Sequence, residues 1–157
     1  VRLKSEISRR CMELADCFEE WKDHDFAARM YELALEISPG DLWPLVNLGR
    51  LYEQIGDDNA ALSCYRQVLA TAPESPVTAA AMHTLLNRMM AGDAVIVAEW
   101  RAIADLHSGA AVPALYLGIA LEEAGDREGA LTAYKRALNR NPALLEAWDR
   151  AQKLEQK

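Results

Sequence analysis

Apolar residues in this chain recur three and four places apart and not in alternation, which is the spacing of one face of an α-helix. Three stretches carry it most clearly, ending at Pro39, Pro73 and Pro142. In each, a bulky residue is followed by a small one (Leu14-Ala15, Leu48-Gly49, Leu117-Gly118), and three places later stands Phe18, Tyr52 or Leu121. A polar break follows, then Ala27, Ala61 or Ala130, then Tyr31, Tyr65 or Tyr134, then Ala34, Val68 or Ala137. Each half of a stretch predicts one amphipathic helix, so each stretch predicts a helical hairpin.

The first two prolines are 34 residues apart and the last two 69, so one more unit fits between them. Alternation of small and large residues has a steric reason. Helices approach to about 8 Å only where one presents Gly or Ala and an aromatic ring fills the space beside it. Gly49 and Gly118 are therefore expected to be contact points. Gly56-Asp57 and Gly125-Asp126 read as turns, the glycine ending one helix in the left-handed region and the carboxylate capping the next. The prolines stop the second helices, and Ser75-Pro76 supplies an N-cap followed by Pro at the first helical position.

The bulky-Gly pair, the aromatic three places on, the Ala, the Tyr, the Ala and the closing Pro at a 34-residue period resemble the tetratricopeptide-repeat family, most clearly over residues 8–75 and 111–144. The resemblance implies an all-α fold: one domain over residues 1–157, a right-handed superhelical stack of antiparallel helix hairpins (an α-solenoid). About four units are expected, at 8–41, 42–75, 76–110 and 111–144, followed by a C-terminal capping helix at 145–157. The third unit departs from the pattern. Thr78–Ala91 and Asp93–Leu106 read as helices and Gly92-Asp93 repeats the turn, but His83 replaces the Gly, and the Tyr position holds Glu99 with Trp100 one place later. This is the reading of a degenerate unit with one inserted residue. Leu3 and Ile7 continue the stripe of Cys11, Leu14, Phe18 and Trp21, which starts the first helix ahead of the repeat. In the capping helix, Leu144, Ala147, Trp148, Ala151 and Leu154 form the apolar face.

At 157 residues a domain of this kind buries a core without disulfides or metals. Three cysteines, Cys11, Cys17 and Cys64, lie at apolar helical positions without CxxC spacing and read as small core residues. The most apolar stretch, 102–121, is broken by Asp105, His107, Ser108, Gly109 and Pro113, so no membrane-spanning segment is expected. The chain begins at Val1, which suggests a processed form or a piece of something larger, and leaves the compartment open with the cytoplasm favoured. Net charge is −7, and residues 8–41 concentrate it, with nine carboxylates against four cations. Such a surface repels phosphate backbones and attracts basic segments.

Catalytic chemistry is missing from the pattern. His24, His83 and His107 are scattered, there is no HExxH or phosphate-binding loop, and carboxylate pairs such as Glu19-Glu20 point about 100° apart on a helix. Asp23-His24-Asp25 is the nearest approach to a ligand cluster and reads as a solvated turn. No enzymatic activity, metal or cofactor is expected. In the family it resembles, the first helix of each hairpin lines a concave groove, which implies partner-binding positions at Glu13, Asp16, Trp43, Asn47, Arg50, Arg88, Val112, Leu115, Tyr116 and Ile119. The first part of that surface is acidic and the last apolar. Val112, Leu115, Tyr116 and Ile119 form either an exposed docking patch or a face covered by the rest of the fold. A subfamily that grips chaperone C-terminal carboxylates uses Lys, Asn and Arg where this chain has Met12, Asp16, Asn47, Val77 and Ala81, which argues against that role. The expected function is an adaptor or assembly module that binds a protein or peptide with apolar and basic segments, without nucleic acid. The alternatives are the substrate-presenting repeats of a larger enzyme, such as a transferase, and a scaffold that forms a homodimer through its apolar groove end.

Overall fold

The computed structural model describes residues 2–156, which form nine α-helices and no strand. They are α1 (Arg2–Glu20), α2 (His24–Ile37), α3 (Trp43–Ile55), α4 (Asp58–Thr71), α5 (Pro76–Arg88), α6 (Asp93–Leu106), α7 (Ala111–Glu123), α8 (Arg127–Arg140) and α9 (Leu145–Glu155). The chain has the all-α helical-repeat fold that the spacing of its apolar residues predicts.

Turn chemistry sets the helix boundaries. Gly56 and Gly125 both adopt φ 81°, and the next residue caps the following helix: Asp57 Oδ1 accepts from the Ala60 amide at 3.0 Å and Asp126 Oδ1 from the Gly129 amide at 2.9 Å. In the first hairpin Lys22 (φ 60°) takes the left-handed place and Asp23 caps α2. Ser75 caps α5, with Pro76 at its first position. The third hairpin differs from expectation. Its turn includes two left-handed residues, Met90 and Gly92, and Gly92 itself occupies the N-cap of α6 without a side-chain hydrogen bond, so Asp93 lies inside the helix. The connection 89–92 is longer than the 56–57 connection of the second hairpin, which gives the one inserted residue its place.

Two compact units divide the chain, Val1–Val68 and Leu69–Lys157. In the first, Ala15, Ala27, Tyr31, Leu48, Leu51 and Val68 form the centre of the core, with Phe18 and Tyr52 partly buried against it. Gly49 lies against the Tyr65 ring, where a Cβ would come within 2.7 Å of Cε1. The core face of α1 is Ser8, Cys11 and Ala15, with the Ser8 hydroxyl donating to the Ala34 carbonyl at 3.2 Å. The expected stripe of Leu3, Ile7, Leu14 and Trp21 is instead exposed, because it lies about a third of a turn from that face. Cys17 falls on the same outer side, so it is exposed and only Cys11 and Cys64 are core residues.

In the second unit α7 is central. Every residue from Ala111 to Leu121 except Tyr116 is buried, against neighbours on α5, α6 and α8. The degenerate positions meet each other: fully buried Trp100 donates its Nε1 proton to His83 Nδ1 at 3.1 Å. Two larger residues thus replace the Gly–Tyr contact with a hydrogen-bonded aromatic pair. Glu74 accepts from the amides of Ala111 and Val112 and caps α7, whose own N-cap residue, Ala110, offers no side-chain acceptor. On α9, Ala147 and Ala151 are buried but Trp148 is exposed, in contrast to its expected place in the apolar contact face.

Candidate protein-interaction surface

Each clear repeat places a tyrosine ring in the core, and burial obliges its hydroxyl to find a partner. Tyr31 donates to Glu19, Tyr65 to Glu53 and Tyr134 to Glu122, each at 2.5 Å and each to a carboxylate 12 residues earlier. Burial chiefly, and these carboxylates next, hold all three phenols well above the ordinary tyrosine range. The acceptors sit on the first helix of each hairpin, at the polar edge of the core.

The first and last copies of this pair differ in charge balance. Glu122 also accepts from Arg150 of α9 at 3.1 Å, so a cation neutralises it. Tyr31 stands between two carboxylates, Glu19 and Asp16, the latter at 2.7 Å. A hydroxyl has one proton and satisfies one of them at a time. Among the described residues no cation pairs with either. Glu13, Asp16 and Glu20 are exposed and spaced three and four apart, which aligns them along one side of α1. Arg10 reaches Glu13 at 2.7 Å, in an exposed pair of small energetic weight. On α3, Trp43 is 62% exposed, Asn47 half-buried and Arg50 exposed.

Of the expected binding positions, then, Glu13, Asp16, Trp43, Arg50 and Arg88 are exposed, and Asn47 and Tyr116 half-buried. The apolar docking patch requires correction: Val112, Leu115 and Ile119 are core residues of the second unit, exposed by 6%, 4% and 5%. Tyr116 stacks on Trp100 with ring centroids 4.9 Å apart and leans on His83 at 5.5 Å. This internal packing consumes the face that a ligand or a symmetric dimer would need. Asp23, the start of the Asp23-His24-Asp25 cluster, accepts from the Phe26 amide as a helix cap, and no group of three His, Cys, Asp or Glu among the described residues is placed to hold a metal. No helix among them is long and apolar enough to cross a membrane.

Tetratricopeptide-repeat models match residues 8–41, 45–76 and 114–143, together more than half of the sequence. The chain belongs to the tetratricopeptide-repeat family. The third unit, with His83 and Trp100 in place of the family's Gly and Tyr, lies between the matched segments. Solved structures of the same fold include MamA, at 20% identity and TM-score 0.57 over 96% of this chain and 82% of MamA. A thermophilic tetratricopeptide-repeat protein of Thermus thermophilus shares 19% identity over 95% of this chain and 81% of its own, with TM-score 0.56. YrrB, described as having an unusual peptide-binding site, shares 15% identity over 93% and 75%, with TM-score 0.54. No curated relative matches by sequence.

Proposed function

We propose that this tetratricopeptide-repeat chain is a protein-interaction module whose first two hairpins hold a basic segment of a partner along α1 and α3. The observation that carries the reading is the pair Asp16 and Glu19 competing for the single proton of Tyr31. A Lys or Arg side chain from a partner would satisfy the second carboxylate, as Arg150 does for Glu122 within this chain. Glu13 and Glu20 extend the negative row, and Trp43 at the start of α3 is exposed and offers an apolar face able to accept a cation. The peptide-binding site described for YrrB is a precedent on the same fold. A preformed helical scaffold loses little entropy on binding, so modest contacts suffice for a useful affinity.

Fluorescence anisotropy with a labelled Lys- and Leu-containing peptide tests this, against a control peptide carrying Glu for Lys. The basic peptide is expected to bind and to weaken with added salt. The Asp16→Asn, Glu20→Gln double variant should weaken it roughly five- to tenfold. Equal binding of the acidic control, or an unchanged affinity in the variant, sinks the proposal.

A further inference from the structure

We infer that two copies of this chain pair through α9, antiparallel about a two-fold axis, with Trp148 of each seated in the cavity between α8 and α9 of the other. The contact lies wholly within the second unit and does not rest on the peptide surface proposed above.

α9 is built as the first helix of a further hairpin. Pro44 and Leu48 of α3 stand five and nine places after Pro39, Ala147 and Ala151 of α9 stand five and nine places after Pro142, and all four are buried. This shared register identifies the side of α9 that a second helix would cover. Gly49, ten places after Pro39, is covered by Tyr65 and Cys64 of α4, and Gly118 is covered by Tyr134 of α8. Ten places after Pro142 stands Gln152, which is exposed, with Trp148 about one turn before it and Glu155 about one turn after. Trp148 is 54% exposed. These three residues, with Ala151 and with Lys135 and Leu138 of α8, line a cavity of about 240 Å³. The place that α4 and α8 fill in their own hairpins is open on α9.

Side-chain size selects the occupant. A tyrosine ring lies against Gly49 and Gly118, but Gln152 carries a side chain where those glycines have none, so a helix of the repeat type does not fit. An occupant must bring its bulky group beside Gln152 and not onto it. A second α9 does so. With the two helices antiparallel and centred on residue 151, Trp148 of each comes level with the gap between Gln152 and Glu155 of the other, where the cavity lies. Projection and receptacle then occur on one face, as a contact between identical patches requires.

Charge sets the direction. Asp149 and Lys153 lie four apart on one edge of this face and pair within the helix at 2.6 Å. A two-fold axis between antiparallel helices brings like edges together, and centring on residue 151 sets Asp149 of each copy opposite Lys153 of the other. A parallel pair would set Asp149 against Asp149 and Lys153 against Lys153. Each charge is already paired within its own chain, so these pairs decide orientation and add little strength. Burial of Trp148 supplies the attraction. Two helices of 11 residues bury less than the roughly 1,600 Å² of a standard interface, so the dimer is weak.

Sedimentation velocity between about 5 and 500 µM is expected to show the mean mass rising from one chain toward two and no further, because a two-fold contact closes. Trp148→Glu should remain a single chain throughout, with unchanged far-ultraviolet circular dichroism, since the side chain it replaces is exposed. Asp149→Lys, on the solvent edge, should weaken association roughly threefold or more, and adding Lys153→Asp should restore it. In a Cys17→Ser background, Gln152→Cys lies beside the axis and should oxidise to a covalent dimer, whereas Arg101→Cys on α6 should not. A wild-type chain that is monomeric at every concentration overturns the inference, as does growth beyond two chains. So do association retained by Trp148→Glu, a charge exchange that fails to restore it, or equal oxidation at the two introduced cysteines.

Discussion

The ring of Tyr134 lies against Gly118, so close that a Cβ on the glycine would fall within the contact shell of three ring carbons. Helix propensity alone says that Ala for Gly at an interior helical position stabilises by about 1 kcal/mol. Here contact reverses the sign. Gly118→Ala is expected to cost about 2–3 kcal/mol and lower the Tm by about 5–10 °C, measured by thermal unfolding. Gly40, where a Cβ would meet nothing within 4 Å, is the control.

His83 accepts the Trp100 indole proton through Nδ1, and its Nε2 lies 3.1 Å from Glu123. His83→Ala leaves a buried indole N–H without an acceptor and opens a cavity beside Tyr116. The expected loss is about 2–4 kcal/mol by denaturant unfolding. His83→Ala with Trp100→Phe removes donor and acceptor together and should cost less than the two single variants summed.

All five tyrosines are held above the ordinary phenol range, each chiefly by burial, with carboxylate hydrogen bonds adding to it at Tyr31, Tyr65 and Tyr134. A folded-state value raised above the unfolded 10.0 contributes stability that is fully present below pH 10 and is lost as pH rises further. Absorbance at the tyrosinate band should therefore stay low in the folded chain at about pH 10.5 and rise on adding denaturant. Unfolding at constant denaturant should accelerate above about pH 10. A normal phenol titration in the folded state would contradict the buried pairs.

Cys17 is exposed, while burial pushes the Cys64 thiol up to about 11 and Cys11 is also enclosed. A thiol reagent at about pH 8 should modify one cysteine rapidly and the other two only on unfolding. Cys17→Ser should abolish the fast phase.

The carboxylate of Glu74 caps α7 from 37 residues away. Glu74→Ala should cost about 1–2 kcal/mol, and Glu74→Gln, which keeps an acceptor, about half as much. Hydrogen exchange at the amides of Ala111 and Val112 reports the change directly.

Much of the fold is legible in the sequence because its causes are local. Apolar spacing marks the helices, Gly56-Asp57 and Gly125-Asp126 set the turns, Ser75-Pro76 opens α5, and the Gly49–Tyr65 and Gly118–Tyr134 pairs announce where helices touch. The acidic side of α1 is equally visible, since residues three and four apart share a helix face whatever lies around them.

Tertiary structure decides which of several apolar faces is covered. In α1 the stripe of Leu3, Ile7, Leu14 and Trp21 is more apolar than the face of Ser8, Cys11 and Ala15, yet the small residues are buried because only they let α2 approach closely. In α7 an apolar residue at nearly every position signals a helix enclosed on all sides, and only the packing of α5, α6 and α8 shows that Val112, Leu115 and Ile119 are core. The partners of Tyr31, Trp100 and Glu122 follow the same rule. Helix periodicity fixes the direction in which a side chain points from its own axis, whereas what it meets depends on chain segments that sequence spacing alone does not bring together.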